Sequence, residues 1–237
     1  MASLPVPKEI REFSYPGWTN VFRLVPTNKN LYPVALRDEW KHQFNDWNGR
    51  ILLLAKDACP THAINDSIGR GDAQPWRYSQ RELGDKGGWQ TNERLYYLAS
   101  MIPGGKLYGS STANMLYDDP RWSRSLHGFY KGPLHEFLKR VLSWTFECMP
   151  QMEAVACLGA EAWFLTCMTT GNQSAAWDFK GYRDAHRPVT AALGKRKIIA
   201  FPLFHPAARV SNDLKEKGWR AFASSFDSGM KVARNVI

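Results

Sequence analysis

The chain has 237 residues, of which 44% are hydrophobic and 22% charged. These proportions suit a globular fold and exclude disordered, collagen-like or wholly coiled-coil chains, and a core of this size needs no disulfide or metal staple. Lys and Arg number 31 against 22 Asp and Glu, a formal net charge of +9, and ten Trp help to bring aromatics to 13%; that balance is a weak pointer to a polyanionic partner whose bases rings can stack on, and it equally fits a soluble enzyme with a basic surface and a Trp-rich core.

The segment Met1–Glu9 has no apolar signal core, and no apolar run approaches membrane-spanning length. The four cysteines, Cys59, Cys148, Cys157 and Cys167, form no C-x-x-C pair. The expectation is a cytoplasmic protein with reduced thiols, no bound metal and no membrane association.

The first thirty residues contain Pro5, Pro7, Pro16 and Pro26 and predict an extended arm that packs on the body through Phe13, Tyr15, Trp18, Val21, Phe22 and Leu24. Behind Pro33, the helical spacing of Leu36, Trp40, Phe44 and Trp47 predicts a helix to Trp47. Ile51–Ala55 is a short apolar run between Asn48-Gly49 and Pro60, the pattern of a parallel strand buried on both faces. Three more strands are predicted: from Lys106-Leu107-Tyr108 toward Asn114, over Ala154–Gly159, and over Lys197–Phe204. Helices are predicted over Gln90–Ser100, Pro133–Cys148, Ala160–Cys167 and Asp213–Met230. Strands alternating with helices imply an α/β fold around a parallel sheet. No linker divides the chain, so 1–237 is expected to form one domain, with 1–50 as an arm and helix packed on it.

Functional groups in such a sheet gather at the carboxyl ends of the strands. The first strand runs into Lys56-Asp57-Ala58-Cys59-Pro60-Thr61 and the second toward Ser110-Ser111-Thr112-Ala113-Asn114. The third runs into Gly159-Ala160-Glu161-Ala162 and the fourth into His205-Pro206-Ala207-Ala208-Arg209. An Asp, an Asn and a His are thus delivered to one rim. Singly, each has an ordinary use: Asp as a helix cap or Asx-turn former, Asn as a turn residue, His as a satisfied structural side chain.

Taken together, in this order and at strand ends, the motifs resemble those of the uracil-DNA glycosylase superfamily. Leu52-Leu53-Leu54-Ala55-Lys56-Asp57 is similar to the first motif, Asn114 to the base-reading Asn, and His205-Pro206-Ala207-Ala208-Arg209 to the His-Pro-Ser loop. Leu158–Ala162 is similar to the strand-Gly-helix element that many members carry before that loop. The resemblance spans roughly Ile51 to Trp219. It implies a three-layer α/β/α sandwich around a central four-stranded parallel sheet. It also implies a monomeric enzyme that flips uracil out of single- or double-stranded DNA and hydrolyses its N-glycosidic bond without a cofactor.

The implied roles follow the chemistry. Bond cleavage builds positive charge on the sugar and negative charge on the departing base. Asp57 would stabilise the first and orient water, and His205 would donate a hydrogen bond to the second. Lys56, Ala58 and Cys59 lie in the same turn as Asp57 and are placed against the base, where backbone N–H groups can assist. Asn114 offers one acceptor and two donors, which match the imide N–H and adjacent carbonyl of uracil and mismatch cytosine. Gly69-Arg70-Gly71-Asp72-Ala73-Gln74-Pro75-Trp76 is similar to a Gly-Arg-Pro-Phe stretch of some members, which makes Trp76 the ring for the flipped base, with Tyr78 second. Arg209 stands at the wedge position of the best-known members. Arg70, Arg77, Ala207 and Ala208 join it on the DNA side, and Lys56, Arg121, Arg124, Lys131, Lys215 and Lys217 extend the basic rim.

Two departures bear on specificity. Cys59 stands where the best-known members have a Tyr that excludes thymine, and Ala207 replaces the phosphate-binding Ser, so a backbone N–H or a basic side chain must take over its contact. The chain lacks the cysteines of the iron–sulfur families. A non-catalytic protein that binds damaged or abasic DNA is the alternative. No phosphate-loop pattern, G-x-S-x-G elbow or G-x-G-x-x-G supports an unrelated hydrolase or nucleotide enzyme.

Overall fold

Strand burial sets the architecture. The structure, a computed structural model, describes residues 7–16, 18–20, 50–55, 97–98, 101–102, 107–111, 115–117 and 130–234. After a short helix α1 (Lys8–Arg11) come β1 (Trp18–Asn20), β2 (Ile51–Ala55), β3 (Leu107–Ser111) and β4 (Met115–Tyr117). The remainder runs α2 (Pro133–Cys148), β5 (Ala154–Leu158), α3 (Ala160–Thr169), α4 (Gln173–Ala176), α5 (Phe179–Asp184), β6 (Val189–Leu193), β7 (Arg196–Leu203) and α6 (Asn212–Arg234). The main sheet has the order β3-β2-β5-β7-β6. The four strands expected from the sequence, β2, β3, β5 and β7, pair in parallel.

The sheet has a fifth strand that the sequence reading did not include. β6 pairs antiparallel with β7, from Val189 opposite Ala200 to Leu193 opposite Arg196, so the sheet is mixed. Its two-residue connection begins at Gly194, φ +59°, where a type II′ hairpin turn calls for glycine. A separate two-stranded ribbon pairs β1 with β4, Trp18 opposite Tyr117. Gly171–Lys195, where the sequence reading predicts no element, supplies α4, α5 and β6. The predicted helix behind Pro33 lies outside the described residues, and of Gln90–Ser100 only Tyr97 and Leu98 are described, both helical.

Every residue of β2 and β5 is buried, because alternate side chains enter two different cores. Leu52, Leu54, Val155 and Cys157 join α2 and α3 residues such as Phe137, Leu138, Trp163 and Phe164. Ile51, Leu53, Ala154 and Ala156 join Trp219, Phe222 and Phe226 of α6. The described part of the first thirty residues includes the helical turn α1, where the sequence reading expects an extended arm. Ile10 is buried in the first core, and Phe13 stacks on Phe137 with ring centroids 4.1 Å apart. Pro202 sits inside β7 beyond its last rung with β6. Because Ile199 N–H points to Glu153 O, the alternation of the strand turns position 202 toward the side without a partner strand, where a missing N–H costs no ladder bond.

The amino ends of the strands are tied by charge. Arg50 grips Glu153 through Nε–Oε1 at 3.1 Å and Nη2–Oε2 at 2.6 Å. Arg196 reaches the end of α2 and the turn beyond it, donating to the carbonyls of Met149 (2.9 Å), Pro150 (2.7 Å) and Phe146 (2.9 Å); Phe146 O also accepts from Met149 N–H and Met149 O from Met152 N–H. Arg196→Met keeps the stem and removes these donors. It is expected to cost about 2 kcal/mol, read as a lower urea midpoint at unchanged slope; an unmoved midpoint would show that water serves those carbonyls equally well.

Candidate functional site

The parallel strands end at one level. Leu54 lies opposite both Ser110 and Cys157, and Cys157 lies opposite Pro202. The segments that follow Ala55, Ser111, Leu158 and Leu203 therefore start from a single rim. The strand order reverses direction between β2 and β5, since β3 lies on the far side of β2. In open α/β sheets that switch point opens the crevice that binds ligands. Asp57 follows two residues after Ala55, and Asn114 three after Ser111. Both lie outside the described residues, as do Lys56, Ala58, Cys59, Arg70, Trp76, Arg77, Tyr78, Arg121 and Arg124.

Gly159 turns the chain from β5 into α3. Its N–H donates to Leu203 O at 3.0 Å, binding the tips of β5 and β7 together, and its carbonyl accepts the first α3 bond from Trp163 N–H. It does so at φ +109°, ψ 172°, a region open essentially to glycine alone. Gly159→Ala is expected to destabilise the fold by about 1–3 kcal/mol through backbone strain, measured by denaturant titration; a change within experimental error would mean that the turn relaxes.

The His205 loop is described in full. Ala207 N–H donates to His205 Nδ1 at 3.2 Å, and Ala208 N–H donates to His205 O at 2.8 Å. A nitrogen that accepts a hydrogen bond carries no proton, so this contact suits the tautomer with the proton on Nε2. Pro206 is buried, and its carbonyl accepts from Lys215 Nζ at 2.9 Å. Ala207 is exposed but its N–H is committed to the His205 ring, so it does not stand in for the hydroxyl of a His-Pro-Ser loop. Arg209 is exposed beside it.

Lys215 is a correction to the sequence reading. The sequence puts it on the basic rim, yet it is 3% exposed and so is shut away from a phosphate backbone. Lys131 and Lys217 are exposed. The structure adds a cation the sequence reading missed: Arg183 of α5 lies over the Phe204 ring at 4.1 Å, next in sequence to His205, and pairs with Asp184 at 2.6 Å. Hydrogen bonds from Lys180 and then Arg183 hold the Asp184 carboxyl below the usual carboxylate range. An aromatic group lies on α3. Tyr130 meets Phe164 edge-on at 4.7 Å, and Trp177, 70% exposed, meets the same ring at 4.6 Å. Burial and then the charge of Glu161 raise the Tyr130 phenol.

No family model matches the chain, and no curated protein matches it. Its functional reading therefore rests on the residues at the rim.

Cys148, Cys157 and Cys167 are buried. Burial pushes the Cys157 thiol up to about 12, with the Thr166 hydroxyl partly opposing, and Cys167 is raised by burial and by Cys157. Among the described residues no group of three or more His, Cys, Asp or Glu could hold a metal ion, and no helix is long and apolar enough to cross a membrane. Since the thiolate is the reactive form, a maleimide at neutral pH is expected to leave these three cysteines unmodified in the native protein and to label them after denaturation. Mass spectrometry of digested fragments checks this; rapid native labelling of any of the three would contradict it.

Proposed function

We propose that the chain is a DNA glycosylase that hydrolyses the bond between uracil and deoxyribose, acting as a monomer and without a cofactor. The observation that carries this reading is the His205 ring on the loop after β7, whose Nδ1 accepts from Ala207 N–H and so leaves Nε2 to carry the ring's proton. A neutral imidazole donor suits a leaving group that gathers negative charge, since it stabilises the oxyanion without having to surrender a proton. Supporting it, the flush register of β2, β3, β5 and β7 starts the segments bearing Asp57 and Asn114 from the same rim. Helices pack on both sheet faces, in keeping with a three-layer α/β/α sandwich.

In this mechanism the target nucleotide leaves the duplex and its base enters the crevice between β2 and β5. The C1′–N1 bond breaks with its electron pair moving to uracil, whose carbonyl oxygen accepts from His205 Nε2–H. A water oxygen bonds to C1′ and its proton passes to Asp57, whose carboxylate also faces the sugar cation. Asn114 reads the imide edge. Arg209, exposed on the His205 loop, is the group for the DNA backbone or the vacated stack.

Single-turnover release of free base from uracil-containing DNA tests the reading. Asp57→Asn and His205→Ala are each expected to slow release by about 10²–10⁴-fold while leaving DNA binding largely intact. Tight binding with no release would point instead to a non-catalytic protein for damaged or abasic DNA. Absence of both binding and release would remove the reading.

A further inference from the structure

We propose that Lys215 is the positioning residue for His205 and that it acts through one peptide group. The Pro206–Ala207 peptide lies between them. Its oxygen accepts from Lys215 Nζ at 2.9 Å, and its N–H donates to His205 Nδ1 at 3.2 Å. A trans peptide is planar with C=O and N–H pointing opposite ways, so the lysine holds the plane from one side while the imidazole reads it from the other. A donor on the carbonyl oxygen polarises the amide and strengthens its N–H. The relay runs from Lys215 Nζ–H to O=C–N–H to Nδ1, and leaves the His205 proton on Nε2.

The placement of Lys215 supports this role. Trp219, Phe222, Ala223 and Phe226 form the buried stripe of α6, and Lys215 continues it one turn toward the rim at 3% exposure. A lysine on a core stripe carries a desolvation cost that an apolar residue would not, and its Nζ is delivered to the loop under His205. The helix that carries it is well anchored. Ser211 Oγ accepts from Leu214 N–H at 3.4 Å, which caps the first turn. Gly218 lets α6 approach β7, since a Cβ there would lie 3.3 Å from Leu203 Cδ2.

The inference rests on the reading of His205 Nε2–H as the working donor, so the test has one arm independent of activity. Long-range ¹H–¹⁵N correlation of the His205 ring at about pH 8, where an ordinary imidazole is neutral, reports which nitrogen holds the proton, and the Ala207 amide is read in the same sample. The expected wild-type result is an unprotonated Nδ1 with a downfield Ala207 amide proton. Lys215→Met keeps an unbranched buried stem without the donor. It is expected to shift both signals and to slow single-turnover base release by roughly 30-fold, with little change in DNA affinity. In a His205→Ala background it should add no further loss, because the two act as a unit. A wild-type ring protonated on Nδ1, unmoved signals in Lys215→Met, or losses that multiply in the double variant would each overturn the proposal. If the wild type releases no base, the glycosylase reading falls while the ring and amide signals still decide the relay. Lys215→Gln is measured in parallel should the Met variant not fold, and the wild-type tautomer needs no variant at all.

Discussion

A strand buried on both faces has no room for a polar side chain along its length. That constraint organises this molecule. Ile51–Ala55 and Ala154–Leu158 are wholly apolar because each alternate residue enters one of two cores, and the backbone groups are satisfied by neighbouring strands. Chemistry is thereby pushed to where the strands stop. The parallel register makes them stop together, so side chains far apart in sequence can serve one crevice without any long-range contact of their own.

The same constraint explains what was legible beforehand. Continuous apolar runs bounded by turn residues located β2, β5 and β7 to within a residue or two, and Leu134, Phe137, Leu138, Val141 and Leu142 at helical spacing located α2. β6 was harder to see, because an edge strand needs to be apolar on one side only. Val189 and Ala191 are buried while Thr190 and Ala192 face outward, and the Gly194 turn that closes the hairpin was the available signal. With no element predicted there, Arg183 was hidden too, since its place over Phe204 depends on how α5 folds back on β7.

The His205 loop shows how far a motif can be read. His-Pro after a terminal strand was legible as a functional pattern, but the tautomer of the ring depends on a backbone N–H that no sequence pattern displays. Lys215 was misread for a related reason: charge alone suggested surface. The correct signal was periodicity, since Lys215 falls four residues before Trp219 on the stripe that continues through Phe222 and Phe226. A charged residue on a buried stripe is more informative than one in a charged cluster. The Asp57 and Asn114 segments are legible as loops after strands and no further, because a loop's shape is set by contacts that periodicity does not record.

The Arg50–Glu153 clasp spans 103 positions, and it marks the seam at which two parts of the chain meet. From α2 to α6, β6 and β7 pair across a two-residue turn and β5 pairs with β7 across Gly159–Lys195, whereas β2 pairs with β5 across the longer stretch from Lys56 to Glu153. Loop-closure entropy favours the local pairings first. By that argument the strand that leads into Asp57 docks onto a half of the sheet that has already formed.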